Sequence, residues 1–115
     1  MSAEFWADIL GVTAGTEWGP FIPVTVDNGV TFDFANVPPH IGDIQPQHYA
    51  FLVSEDEFDA AYDKIRRYRL DYWADPRQQD AGQINHNDGG RGIYFLDPSG
   101  HFVELITVPY GGWPQ

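Results

Sequence analysis

The sequence predicts an α+β fold of paired βαβββ modules that build a curved mixed sheet, with the first strand of module 1 missing. Three observations lead there: a half-repeat of strand and helix signals, the turn chemistry of two hairpins, and a size that suits one core. At 115 residues, 43% apolar and 16% aromatic, the chain reads as a single domain over 1–115. A domain of this size buries roughly two thirds of its unfolded surface, enough to fold without staples. With no cysteine, a disulfide frame, a thiolate metal site and a cysteine nucleophile are all excluded.

The elements follow in chain order. Module 1 is assigned to 2–36, a linker to 37–46 and module 2 to 47–109. In module 2, His48-Tyr49-Ala50-Phe51-Leu52-Val53 reads as a strand, and Ser54 with Glu57 three residues later forms a capping box that opens a helix. Phe58, Ala61, Tyr62 and Ile65 recur at helical spacing. A strand is expected near 70–74, then a long polar loop, then a hairpin over 93–108 turning at Asp97-Pro98-Ser99-Gly100. Module 1 repeats this order from its helix onward: Glu4-Phe5 matches Glu57-Phe58, Gly11 is a helix stop, and Asp27-Asn28-Gly29 supplies the hairpin turn. The helices align at an offset of 53 and the turn glycines, Gly29 and Gly100, at 71, so the loop of module 2 carries about 18 extra residues and is a candidate lid over 75–90. The strand expected before the first helix has no residues, because Met1 and Ser2 already stand at that helix's start.

A short hairpin loop with proline early and glycine in the left-handed position favours a type I turn with a G1 bulge. That register sets Asp97 opposite His101, Leu96 opposite Phe102 and Tyr94 opposite Glu104. Alternation then places Tyr94, Leu96, Phe102, Glu104 and Ile106 on one face and Ile93, Phe95, Val103 and Leu105 on the helix-packed face. In module 1 the same logic pairs Val26 with Val30, Thr25 with Thr31, Val24 with Phe32 and Pro23 with Asp33. Val24, Phe32 and Phe34 then face the core, and Asp33 occupies the position equivalent to Glu104. Tyr49, Phe51 and Val53 claim the helix side of their strand, so His48, Ala50 and Leu52 face the other way.

Six basic against seventeen acidic side chains give a net charge of −11, which repels a nucleic-acid backbone or an anionic membrane. The apolar runs are too short to span a bilayer, and no basic region precedes a hydrophobic stretch at the start. A soluble, cytoplasmic protein that binds neither nucleic acid nor membrane is expected.

His48, Glu104 and Asp33 bring one imidazole and two carboxylates to strands that could converge, a donor set suited to Mn, Fe, Zn, Ni or Co as a divalent ion. Such an ion polarises a pair of substrate oxygens and stabilises an oxyanion or enediolate developing on them. Any one of these residues, taken alone, is more often a solvated side chain.

The run Gly89-Gly90-Arg91-Gly92-Ile93-Tyr94-Phe95-Leu96-Asp97-Pro98-Ser99-Gly100-His101-Phe102-Val103-Glu104-Leu105, with the strand from His48 and Phe5-Trp6-Ala7-Asp8-Ile9-Leu10-Gly11, closely resembles the vicinal oxygen chelate superfamily. That superfamily includes glyoxalase I, fosfomycin and bleomycin resistance proteins, extradiol dioxygenases and methylmalonyl-CoA epimerase. The resemblance implies paired βαβββ modules cupped around a divalent metal, with His48 and Glu104 as ligands. The family's usual third ligand stands on the first strand of module 1, absent here, and Asp33 is its internal substitute. Tyr94 matches a tyrosine that contacts substrate in fosfomycin-modifying members, so Tyr94 and Glu104 are the catalytic candidates; Arg91, whose planar donors could orient an anionic group, and His86, on the long loop, join Tyr94 as the substrate-binding ones. His101 is read as structural.

Fosfomycin transfer itself is disfavoured, because the tail from Val108 has no basic residue and the loop before Tyr94 lacks a lysine for a phosphonate. Nothing marks a glutathione site. The expected function is a small metal-dependent lyase, isomerase or dioxygenase acting on vicinal oxygens. The alternative is a metal-free binding protein similar to bleomycin resistance proteins, which sequester a cationic aromatic drug; Trp73, Tyr94, Phe102 and Trp113 suit such a ligand. A homodimer is expected under either reading, both from family habit and from the sheet edge that a missing strand would leave open.

Overall fold

The structure, a computed structural model, describes residues 2–15, 21–25, 31–35 and 47–113. Helix α1 (Ser2–Leu10) buries Ala3, Trp6, Ala7 and Ile9 at helical spacing and stops before the expected Gly11. Strands β1 (Phe21–Thr25) and β2 (Thr31–Ala35) pair antiparallel with Pro23 opposite Asp33, Val24 opposite Phe32 and Thr25 opposite Thr31, the register read from the turn chemistry. The turn at 27–29, the pair Val26 and Val30, and the linker 37–46 lie outside the described residues.

Module 2 is the expected βαβββ unit: β3 (His48–Leu52), α2 (Glu55–Arg67), β4 (Tyr72–Trp73), β5 (Gly92–Leu96) and β6 (Phe102–Ile106). The capping box forms in full. Ser54 Oγ accepts from the Glu57 N–H and Glu57 Oε1 accepts from the Ser54 N–H, satisfying donors that a helix start leaves bare. The open sheet runs β3-β6-β5-β4, with β3 and β6 parallel and the other pairs antiparallel, so α2 carries the chain from one sheet edge to the other. Strand β4 is shorter than expected because Leu70 is still bonded to the helix end and Ala74 turns away to Asp80. The long loop is tied to the sheet by its own bonds: Asp75 accepts from the N–H groups of Arg77, Gln79 and Asp80, Asn85 Nδ2 donates to Ala74 O, and Asn85 bridges to Gly92.

Both helices cover one face of this sheet. Trp6, Ile9, Phe51, Phe58, Ala61, Ile65, Ile93, Phe95, Val103 and Leu105 form one core, which includes the inward set expected from alternation. Trp6 is its hub, with ring centroids 4.9–5.4 Å from Phe32, Phe34, Tyr49 and Phe51. These rings draw residues of both modules onto one side chain. Among the described residues, no helix is long and apolar enough to cross a membrane.

One buried carboxylate joins the β5-β6 turn to α1. Asp97 Oδ1 accepts from the N–H groups of Ser99 and His101 at 2.9 Å each, and Oδ2 accepts from Trp6 Nε1 at 2.9 Å. Gly100 takes φ +87°, and Asp97 N–H donates to His101 O, as the bulged turn requires. Replacing Asp97 with Ala strips charge-assisted bonds from the turn and leaves the Trp6 indole N–H buried without a partner, so urea unfolding should show a loss of about 3 kcal/mol. Ser54→Ala, which removes only the cap, should cost about 1 kcal/mol in the same measurement.

Candidate metal centre

Alternation along three strands exposes the opposite sheet face. His48 stands beside Phe102, Ala50 beside Glu104, and Tyr94 opposite Glu104, while Leu52 and Leu96 are exposed at the margins. At its centre Glu104 is only 1% exposed. Its Oε1 lies 2.9 Å from His48 Nε2 and accepts from the Tyr110 hydroxyl at 2.6 Å. Tyr94 stands across the β5-β6 ladder from Glu104, and its ring centroid is 5.9 Å from that of His48. The His48 side chain is 48% exposed, so the pair opens to solvent on the imidazole side.

The phenols are donors here rather than bases. Burial first, then the hydrogen bond to Glu104, pushes Tyr110 up to about 12. The same causes, with further repulsion from Tyr110 and Asp75, drive Tyr94 well above the ordinary phenol range. No described hydrogen bond or ion pair of His48, Tyr94, Glu104 or Tyr110 involves a lysine or arginine. The described bonds of Glu104 come from one neutral hydroxyl and an imidazole, and a cation is the natural complement to that surplus of oxygen donors.

The donor set fits a divalent ion in part. Bonds of about 2.1 Å at a right angle would hold an imidazole nitrogen and a carboxylate oxygen about 3 Å apart. His48 and Glu104 stand at 2.9 Å, so replacing the proton between them by a cation needs little movement. Among the described residues, no group of three or more His, Asp or Glu side chains converges. Asp33 has its backbone on β2, but its side chain lies outside the described atoms.

Of the other residues read from sequence, two are not brought to this cluster. Arg91 alternates onto the helix face, where its guanidinium lies 2.8 Å from both Glu55 and Asp59 and stacks over the Phe58 ring. Those partners occupy the planar donors that would have met a substrate anion. His86 is exposed ahead of the short 3-10 turn Asn87–Gly89, and none of the described bonds of Glu104 involves it. His101 faces the core side: its Nδ1 accepts from the Gln47 N–H at 2.9 Å, and its ring meets Tyr49 edge-on. Tyr110 was not singled out by sequence, since nothing in the local pattern Pro109-Tyr110-Gly111-Gly112 announces a contact with the sheet centre.

Comparison with known proteins matches residues 1–105 to the family model of the Glyoxalase/Bleomycin resistance protein/Dioxygenase superfamily. Among solved structures, Oxidase ChaP-H2 shares 56% identity at a TM-score of 0.91, covering 96% of this chain and 85% of that one. A glyoxalase/dioxygenase from Nostoc punctiforme, at 23% identity and a TM-score of 0.61, covers 91% of this chain and 80% of its own and shows the shared fold. Glutathione transferase FosA of Serratia marcescens is 29% identical over 109 residues, 90% of this chain and 69% of that protein. Metallothiol transferase FosB of Lysinibacillus sphaericus (strain C3-41) is 42% identical over 60 residues, 52% of this chain and 38% of its own length. With a family model that takes in nearly the whole sequence and relatives that include both transferases and an oxidase, the chain belongs to the Glyoxalase/Bleomycin resistance protein/Dioxygenase superfamily, the vicinal oxygen chelate fold.

Proposed function

We propose that the chain is a divalent-metal-dependent enzyme that oxidises, with dioxygen as the electron acceptor, an uncharged substrate carrying two adjacent oxygens. The observation that carries this reading is the His48 imidazole held 2.9 Å from a buried carboxylate on the open face of the sheet. His48 and Glu104 would hold the ion, with Asp33 as the proposed third protein ligand and a homodimer as the proposed working form. A metal bound there would polarise the two substrate oxygens and, if redox-active, accept and pass on electrons.

The surrounding residues define the rest. Tyr94 keeps its proton and offers it as a hydrogen bond beside Glu104, so its role is to orient a substrate oxygen and stabilise charge that develops on it. Leu52, Leu96 and Phe102 give the face an apolar margin. Two observations favour oxidation over thiol transfer to a phosphonate: the 56% identity with Oxidase ChaP-H2, and a carboxylate cluster without a described lysine or arginine partner.

Elemental analysis of the purified protein should find close to one divalent ion per chain, and His48→Ala should lose most of it. Diols, 2-oxoaldehydes and catechols, screened with that metal while oxygen uptake is followed, should yield turnover with the uncharged members. A metal-free protein that instead binds cationic aromatic drugs would establish sequestration as the function. Tyr94→Phe should keep its metal and lose about 10- to 100-fold in kcat, the loss of one hydrogen bond worth about 1.5–3 kcal/mol to a charged group.

A further inference from the structure

We propose that Tyr110 is a positioning residue for Glu104, holding the carboxylate in place for a divalent ion; the proposal rests on the metal reading above. Three observations converge on it. The Tyr110 hydroxyl donates to Glu104 Oε1 at 2.6 Å, the same oxygen that lies 2.9 Å from His48 Nε2. Tyr110 as a whole residue is 65% exposed, so apolar burial does not hold it there. The tail that delivers it is built as a return turn across the loop of module 2.

That turn is specific in its bonds. Thr107 anchors the end of β6, its N–H donating to Arg91 O at 3.0 Å and its Oγ1 accepting from the Arg91 N–H at 2.9 Å. Beyond Tyr110, Gly111 and Gly112 take φ +81° and +89°, conformations open to glycine. Gly112 N–H closes the turn on Pro109 O at 2.8 Å, and Gly111 N–H donates to Asp88 Oδ2 at 3.1 Å. The tail is thus fixed on both sides of Tyr110, and its phenol reaches inward to the buried carboxylate.

A carboxylate oxygen accepts along more than one lone-pair direction. His48 and Tyr110 together fill two such directions on Oε1. A cation taking the place of the proton between His48 and Glu104 would leave the Tyr110 bond intact, and that bond would keep the carboxylate from rotating away. Partners of this kind, which bond to a ligand rather than to the metal, typically contribute 10- to 100-fold to metal affinity.

The test is cobalt(II) affinity of the full chain, measured by chelator competition, beside the melting temperature of the metal-free protein and the visible absorption of the cobalt form. Tyr110→Phe should weaken cobalt binding about 10- to 100-fold and shift the cobalt bands, with metal-free melting unchanged. Asp88→Ala, which loosens the tail and leaves the phenol intact, should weaken binding by a smaller factor. Wild-type affinity and spectrum in Tyr110→Phe would overturn the proposal and leave the metal reading standing. A lower metal-free melting temperature without an affinity change would also overturn it, by reducing Tyr110 to a structural partner. Failure of the wild-type chain to bind cobalt or any other divalent ion would overturn both.

Discussion

The register of β5 against β6 depends on Asp97. Its carboxylate ties down the turn through Ser99 and His101 and reaches the Trp6 indole across the core, so a single buried acid connects the hairpin of one module to the helix of the other. A slip of one residue in that turn would reverse every side chain of the hairpin between core and open face. Glu104 and Tyr94 would then point into the layer now filled by Val103, Leu105, Ile93 and Phe95. The chemistry on the open face is therefore a consequence of how firmly the far end of the hairpin is held.

Burying a carboxylate at the centre of a sheet is unfavourable unless donors surround it. Here the described donors are the Tyr110 phenol and an imidazole, with the Tyr94 phenol across the ladder, none of which brings a permanent positive charge. A lysine or arginine in the same place would satisfy Glu104 more strongly, and it would also compete with a metal for the carboxylate. The same scaffold carries transferases and an oxidase among its relatives, so the backbone alone does not choose the reaction. The side chains around His48 and Glu104 are phenolic and apolar in this chain.

The parts legible in sequence are those governed by local rules. Alternation with period two assigned the faces of β3, β5 and β6, and the Asp97-Pro98-Ser99-Gly100 turn chemistry set Tyr94 opposite Glu104. The Ser54 and Glu57 spacing located the start of α2. Long-range partners were not legible. Arg91 reads as an arginine among glycines, and only the packing of α2 over β5 reveals that Glu55, Asp59 and Phe58 claim its guanidinium. Tyr110 is decided by two left-handed glycines and a bond to Asp88, a combination whose outcome depends on where the loop of module 2 lies. The Trp6 bond to Asp97 spans 91 positions and carries no local signature.

The acid excess of this chain is also unevenly countered. Lys64, Arg66 and Arg67 sit on α2, Arg69 follows it directly and Arg91 is bound against it, so five of the six basic side chains lie at the helical layer. Glu55, Asp56, Glu57, Asp59 and Asp63 on the same helix take up much of that positive charge, and Glu104 on the opposite sheet face has no lysine or arginine among its described partners. A net charge of −11 draws small multivalent cations out of bulk solution and slows the approach of phosphate-like solutes, an influence that fades as background electrolyte rises. Ion capture would accordingly be assisted before any ligand touches the metal, by the excess of acid over base in the whole chain rather than by the ligands themselves.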